Sequence, residues 1–227
     1  MIQIAIDGPS GAGKSTVAKA LAAKLGIVYV DTGALYRTIG YYVRSKDVDP
    51  HDSEAVAKLL PDIHIELAYE NGTQQVILNG VALGDKIRTP EMSMYASAVS
   101  AIPAVRAFLL ETQRSIARKC SVIMDGRDIG TVILPNADVK IFLVASAECR
   151  AQRRTDELIA KGMQVSYEEV LSDMQARDRA DSTREVAPAV AAADAVTFDN
   201  SWMTPDECVE KLEALVLATV QKTGATV

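Results

Sequence analysis

The chain is expected to be an α/β fold, a five-stranded parallel sheet with helices on both faces and a small antiparallel β insert. Three observations predict it. Short apolar runs alternate with helix-forming segments along most of the 227 residues, the order that builds a parallel sheet covered by helices. The first run passes straight into a glycine-rich loop and then a helix. Between residues 62 and 88 the pattern changes, and apolar residues recur at every second position between Asn-Gly pairs.

Residues 2–6 are the first strand, an apolar run too short for a helix. Residues 16–25, rich in Ala, Lys and Leu, read as a helix. The second strand spans 27–30, and helices follow at about 34–44 and 53–60. Ile63, Ile65 and Leu67 alternate with polar residues as a half-buried strand does, and 75–78 is a second such run. Asn71-Gly72 and Asn79-Gly80 are hairpin signals, because both residue types tolerate positive φ. Residues 62–88 are therefore expected as an inserted β sub-domain in a core made of 1–61 and 89–227. A helix at about 103–118 precedes the third strand, 122–124. The fourth strand is 139–144 and the fifth 195–198, with helices at about 147–161, 167–179 and 205–222. Pro188 and 189–193 read as a loop plus a short helix, and the tail from Thr223 as a frayed end.

The loop after the first strand carries the chemistry. Gly8-Pro9-Ser10-Gly11-Ala12-Gly13-Lys14-Ser15 matches G-x-x-x-x-G-K-[ST], followed by Thr16. Strand, glycine loop and helix together are the context that makes this pattern a site. The glycines let the backbone curl so that successive N–H groups face phosphate oxygens, and the helix adds its positive end. Lys14 can reach the outer phosphates and the Ser15 hydroxyl can ligate Mg²⁺. The pattern implies binding of a nucleoside triphosphate.

Composition excludes other classes. The net charge of −6 argues against a general nucleic-acid surface. No apolar run approaches the ~20 residues of a membrane helix, and the N-terminus enters a strand with no signal segment. Cys120, Cys149 and Cys208 are odd in number and scattered, as reduced, buried thiols of a cytosolic protein would be. His51 and His64 have no metal-ligand spacing, so a zinc site is not expected.

The second signal is arginine. Open α/β sheets hold ligands at the carboxyl ends of their strands, where Arg37 and Arg127 fall. Arg106 lies in the 103–118 helix; Arg150, Arg153 and Arg154 open one later helix, while Arg177, Arg179 and Arg184 close another. Arg44, Arg114 and Arg118 read as solvated helix faces with ion pairs. The guanidinium fork matches phosphate, and a phosphate acceptor needs fixed cations to offset repulsion between two polyanions but no general base. Asp125, at the third strand's end, reads equally as support for Mg²⁺ and as a cap or turn residue. No Asn is followed by Lys, so the usual GTPase base-reading motif is absent.

At this point the residues resemble a family. The run Ile6–Thr16, the block Asp31-Thr32-Gly33-Ala34-Leu35-Tyr36-Arg37, the block Asp125-Gly126-Arg127-Asp128-Ile129-Gly130-Thr131-Val132, and Ala176-Arg177-Asp178-Arg179 with Asp181 and Arg184 are similar to bacterial cytidylate kinases over nearly the whole chain. The resemblance implies a P-loop kinase fold with a helical lid at about 146–163, and phosphorylation of CMP and dCMP by ATP with Mg²⁺. It implies that Gly8 to Thr16 bind ATP. It also implies that Lys14, Arg37, Arg127, Arg150 and Arg154 act on the phosphates. Thr32, Ser97, Arg106, Asp128, Arg177, Asp181 and Arg184 join Arg37 and Arg127 around the CMP. For Ser97 a plain helix-packing role is the competing reading. A cytoplasmic monomer acting on small nucleotides, without nucleic acid or membrane, is the expectation. The alternatives are a kinase for another small acceptor such as shikimate or UMP, and a nucleotide-binding module without turnover.

Overall fold

The computed structural model describes residues 1–70 and 73–223. The Asn71-Gly72 turn and the tail beyond Thr223 lie outside the described residues.

Five strands form the parallel sheet: β1 (Gln3–Asp7), β2 (Val28–Asp31), β6 (Val122–Gly126), β7 (Val139–Val144) and β8 (Val196–Asp199), in the order β2-β6-β1-β7-β8. β1 is central, and its Ile4, Ala5 and Ile6 are fully buried. Such near-continuous burial is what a parallel strand covered on both faces requires. Asp7 is in register with Gly126 of β6 and with Phe142 of β7. The chain therefore leaves β1 and β6 at the same level.

One face carries α1 (Lys14–Leu25) and α8 (Pro205–Thr223), packed through Val17, Leu21, Leu212 and Val216 onto Ile4, Ile6 and Ile141. The other core gathers α2 (Thr32–Ser45), α3 (Ser53–Leu59), α4 (Pro90–Ser100) and α5 (Pro103–Ala117) around Leu35, Ile39, Val99 and Leu109. Asp31 caps α2 by accepting from the Ala34 amide at 2.9 Å, which starts the helix without a break after β2.

The insert is an antiparallel sheet of β3 (Ile65–Glu70), β4 (Thr73–Leu78) and β5 (Val81–Ala82). Asn79 and Gly80, with φ of 49° and 80°, make the left-handed β4–β5 turn. Val76, Leu78 and Leu83 join the α2 core. Gln74 completes the open edge of β2: its side chain accepts from the Asp31 N–H at 2.9 Å and donates to the Asp31 carbonyl at 3.2 Å.

The remaining helices, α6 (Ala147–Ala160) and α7 (Tyr167–Thr183), share a separate apolar cluster of Ala151, Leu158, Val170 and Met174. Ser166 and Glu169 form a reciprocal cap at the start of α7.

Several expectations need correction. α4 was not foreseen, although Thr89 accepts from the Met92 amide and Pro90 occupies the first turn, a recognisable start. Residues 129–133 form one π-helical turn. No helix forms at 189–193. Arg114 is not a solvated ion pair: it donates to the carbonyls of Val132 and Ile133 at 2.8 and 3.0 Å, closing the π turn. Only Cys208 is buried; Cys120 and Cys149 are half-buried. Among the described residues, no single helix is long and apolar enough to cross a membrane.

Candidate active site

The glycine loop joins β1 to α1. Gly8, Gly11 and Gly13 have φ of 146°, 74° and 84°, backbone that only glycine adopts without strain. Lys14 is buried at the base of the loop and donates to the Pro9 carbonyl at 2.7 Å. Ser15 Oγ donates to Asp125 Oδ2 at 2.7 Å. Asp125 is not the cap of any helix; its carboxylate accepts the loop hydroxyl. Asp7, on the strand before the loop, accepts from the amides of Ile129 and Gly130 at 2.8 Å each. Burial pushes its carboxyl up to about 6, against those two bonds.

Four cations crowd the same region. Burial drives the Lys14 ammonium well below its usual value, and Arg127 and Arg177 push it further. Burial likewise lowers the Arg177 guanidinium to about 10, with Arg127 and Arg37 nearby. Arg37 Nη2 pairs with Asp31 at 2.8 Å, and Arg127 Nε with Asp181 at 2.9 Å. Burial works to raise the Asp181 carboxyl, but Arg127 and Arg177 outweigh it and hold it below the ordinary range. Arg37 Nε and Arg177 Nε are buried with no hydrogen-bond partner. Clustered cations with unmet donors cost free energy unless an anion completes them.

Beside this cluster lies a second one. Asp128 is buried against Arg106, the two forming a direct ion pair, with Arg184 3.7 Å away on the other side. Arg106 lies over the Tyr36 ring, 5.6 Å from its centre, and donates to the Ser100 carbonyl at 3.1 Å. Arg184 Nη1 donates to Ser100 Oγ at 3.1 Å. Ser97 Oγ donates to Asp181 Oδ1 at 3.4 Å, so α4 links the two clusters. Thr32 is buried, with its hydroxyl given to the Asp125 carbonyl at 2.7 Å.

The arginines of α6 differ from one another. Arg150 donates to the carbonyls of Ala145 and Ser10 at 2.9 Å each. Arg153 docks on Asn200, donating to its carbonyl at 2.8 Å. Arg154 pairs with Glu157, one turn along the same helix. Asn200 in turn donates to the Ala12 carbonyl of the loop at 2.9 Å, and Arg177 Nη1 to Ser10 Oγ at 3.3 Å. The structure thus brings the loop, Arg37, Arg127 and Arg177 together, and Asp128, Arg106 and Arg184 together. Arg154 is half-buried on α6, with its guanidinium on Glu157.

Sequence reasoning gave no role to Tyr29, Arg88, Asp178 and Asn200. Arg88 stands 3.8 Å from Asp31, and Asp178 accepts from the Ser10 amide at 3.3 Å. Asn200 follows the last strand, a position where a polar residue signals ligand-end geometry.

A parallel sheet that delivers a phosphate loop opposite a nest of arginines defines a P-loop kinase. The comparisons agree and are more particular. The family model described as cytidylate kinase matches residues 4–218. A cytidylate kinase of Fervidobacterium nodosum is 50% identical over 94% of this chain and 95% of that protein. One of Caldicellulosiruptor bescii is 46% identical over 97% of each. The chain belongs to the cytidylate kinase family. A solved structure of an uncharacterized Eubacterium ventriosum protein, 13% identical, aligns over 95% of this chain and 98% of that one with a TM-score of 0.51, a likeness in fold alone.

Proposed function

We propose that the chain transfers the γ-phosphoryl group of ATP to CMP and dCMP, yielding ADP with CDP or dCDP. The observation that carries this is the convergence of Lys14, Arg37, Arg127 and Arg177 on one region. Two polyanions meeting in line complete the donors that the protein leaves unmet there, Arg37 Nε and Arg177 Nε.

The loop backbone from Gly8 to Thr16, through its N–H groups other than at Pro9, and Lys14 hold the triphosphate. Arg37, Arg127 and Arg177 hold the monophosphate, whose oxygen is already anionic and attacks without a base. Positioning and charge stabilisation do the rest. Arg177 and Asp181 face the sugar, while Asp128, Arg106, Arg184 and Ser97 face the base. The Asp128 carboxylate accepts from cytosine N4–H₂; uracil presents an oxygen there, which the carboxylate repels.

Mg²⁺ fits the donor set. Ser15 gives its only hydrogen to Asp125, which leaves the lone pairs of Oγ for a hard cation. Among the described residues no group of three or more His, Cys, Asp and Glu could hold a metal; phosphates and water would supply the remaining ligands. When bound, Mg²⁺ neutralises charge on the β- and γ-oxygens.

Helix α6 and its flanks, at about 146–163, act as the lid over ATP, with Arg150 and Arg154 reaching the phosphates on closure. Residues 62–88 form the sub-domain on the monophosphate side. Free cysteines suit a reducing cytoplasm, and a self-contained core suits a monomer. The test is an acceptor panel with ATP and Mg²⁺. ADP should form rapidly with CMP and dCMP, weakly with UMP and not with shikimate, and Lys14→Ala should abolish it. No CMP-dependent ADP would overturn the reading.

A further inference from the structure

Tyr29 enters no step above, yet it belongs to the loop's support. It projects from β2, and its hydroxyl donates to Asp125 Oδ1 at 2.9 Å. Ser15 Oγ takes the other oxygen, Oδ2, at 2.7 Å. Each oxygen of a buried carboxylate thus has its own hydroxyl donor. Thr32 Oγ1, donating to the Asp125 carbonyl at 2.7 Å, fixes the backbone from which that carboxylate hangs.

The arrangement settles a rotation. The torsion that turns an aspartate carboxylate is broad and weakly preferred, so one hydrogen bond leaves it loose. Two bonds from opposite sides, one on β2 and one on α1, pin it. The pinned carboxylate decides where the Ser15 hydrogen points. A serine hydroxyl has one hydrogen and two lone pairs. With the hydrogen directed at Asp125, the lone pairs face away from it. Were the carboxylate free to turn, the hydroxyl could rotate and present its hydrogen to a cation, which repels it.

We propose that Tyr29 is a positioning residue for the metal–nucleotide complex: it holds Asp125 in the orientation that keeps the lone pairs of Ser15 available to Mg²⁺. This rests on the reading of Ser15 as the Mg²⁺ ligand. Phenylalanine at 29 keeps the packing but leaves Asp125 Oδ1, on a residue only 4% exposed, without its donor.

The test is the affinity for ADP, measured by calorimetry once with Mg²⁺ and once with EDTA. The ratio of the two affinities reports metal coupling and needs no turnover. Tyr29→Phe should lower that ratio by about five- to tenfold, the loss of one buried hydrogen bond, with the affinity in EDTA unchanged. Ser15→Ala should lower it at least as far, and the double variant no further than Ser15→Ala, because Tyr29 acts through Ser15. A wild-type ratio in Tyr29→Phe, or additive losses in the double variant, would overturn the proposal alone. A wild-type ratio in Ser15→Ala would remove the Mg²⁺ reading of Ser15 and the proposal together. Tyr29→Leu serves with the same readout if Tyr29→Phe does not fold.

Discussion

Arg150 Nη1 lies 2.6 Å from Asp178 Oδ2, and this pair joins the first turn of α6 to the C-terminal half of α7. The same nitrogen reaches the Ser10 carbonyl, and the other oxygen of Asp178 accepts the Ser10 amide. One ion pair therefore ties both helices to the phosphate loop.

Arg150 and Arg154 should consequently respond differently to truncation. Arg150 is buried, so Arg150→Ala should lower kcat and also cost about 3 kcal/mol of stability, the lower end for breaking a buried pair. That is a fall of about 6–12 °C in Tm for a chain of this size. Arg154 has one partner on its own helix. Arg154→Ala should lower kcat strongly, leave CMP affinity nearly intact and shift Tm by no more than about 2 °C. Calorimetric melts beside steady-state kinetics distinguish the two; equal Tm losses would contradict the assignment.

Asp128 should set base preference. Asp128→Asn keeps the size of the side chain but turns one acceptor into a donor. The ratio of kcat/KM for CMP over UMP should fall by about tenfold or more, the value of one good base contact. Measuring both acceptors on both proteins decides it, and an unchanged ratio would move the base reader elsewhere.

Asp7 makes a prediction about pH. Its carboxyl is raised by burial from 3.8 to about 6, so the folded state holds the proton more tightly than the unfolded one. The stabilising contribution is complete below pH 3.8 and lost as pH rises through 6. The shift corresponds to about 3 kcal/mol. Relative to Asp7→Asn, which does not titrate there, the wild type should lose about that much stability between pH 4 and pH 7. A stability difference that stays flat across that window would refute it.

Gly8 should tolerate no side chain. A Cβ there would lie 2.0 Å from the Leu143 carbonyl oxygen, a backbone atom of the adjacent strand that cannot rotate away. Gly8→Ala should cost more than about 3 kcal/mol, through overpacking combined with a φ that alanine avoids. Chemical denaturation would detect it. Gly26, with nothing within 4 Å of its Cβ position, is the control and should lose only about 1 kcal/mol through its positive φ.

Much of this was legible in the sequence because the deciding interactions are local. The glycine loop, the β4–β5 turn at Asn79-Gly80 and most helix ends are set by residues within four positions of one another. α4 escaped because its apolar positions are filled by Met, Ala and Tyr without a clear stripe, although Thr89-Pro90 marks its start. The π turn at 129–133 was out of reach for a different reason. Its amides are held by Asp7 and its carbonyls by Arg114, partners from other elements. The same holds in the site. Arg37 and Arg127 could be placed at strand ends from chain order, whereas the roles of Tyr29, Asp178 and Asn200 depend on neighbours far along the chain.

The matched exit of β1 and β6 has one further consequence. Asp7 and Gly126 sit side by side in the ladder, so the glycine loop and Arg127 spring from rails about 4.8 Å apart. That gap is ruled by main-chain geometry, which substitution leaves almost untouched. Drift in the surrounding side chains can alter what lines the two strand ends, while the stride between them stays constant.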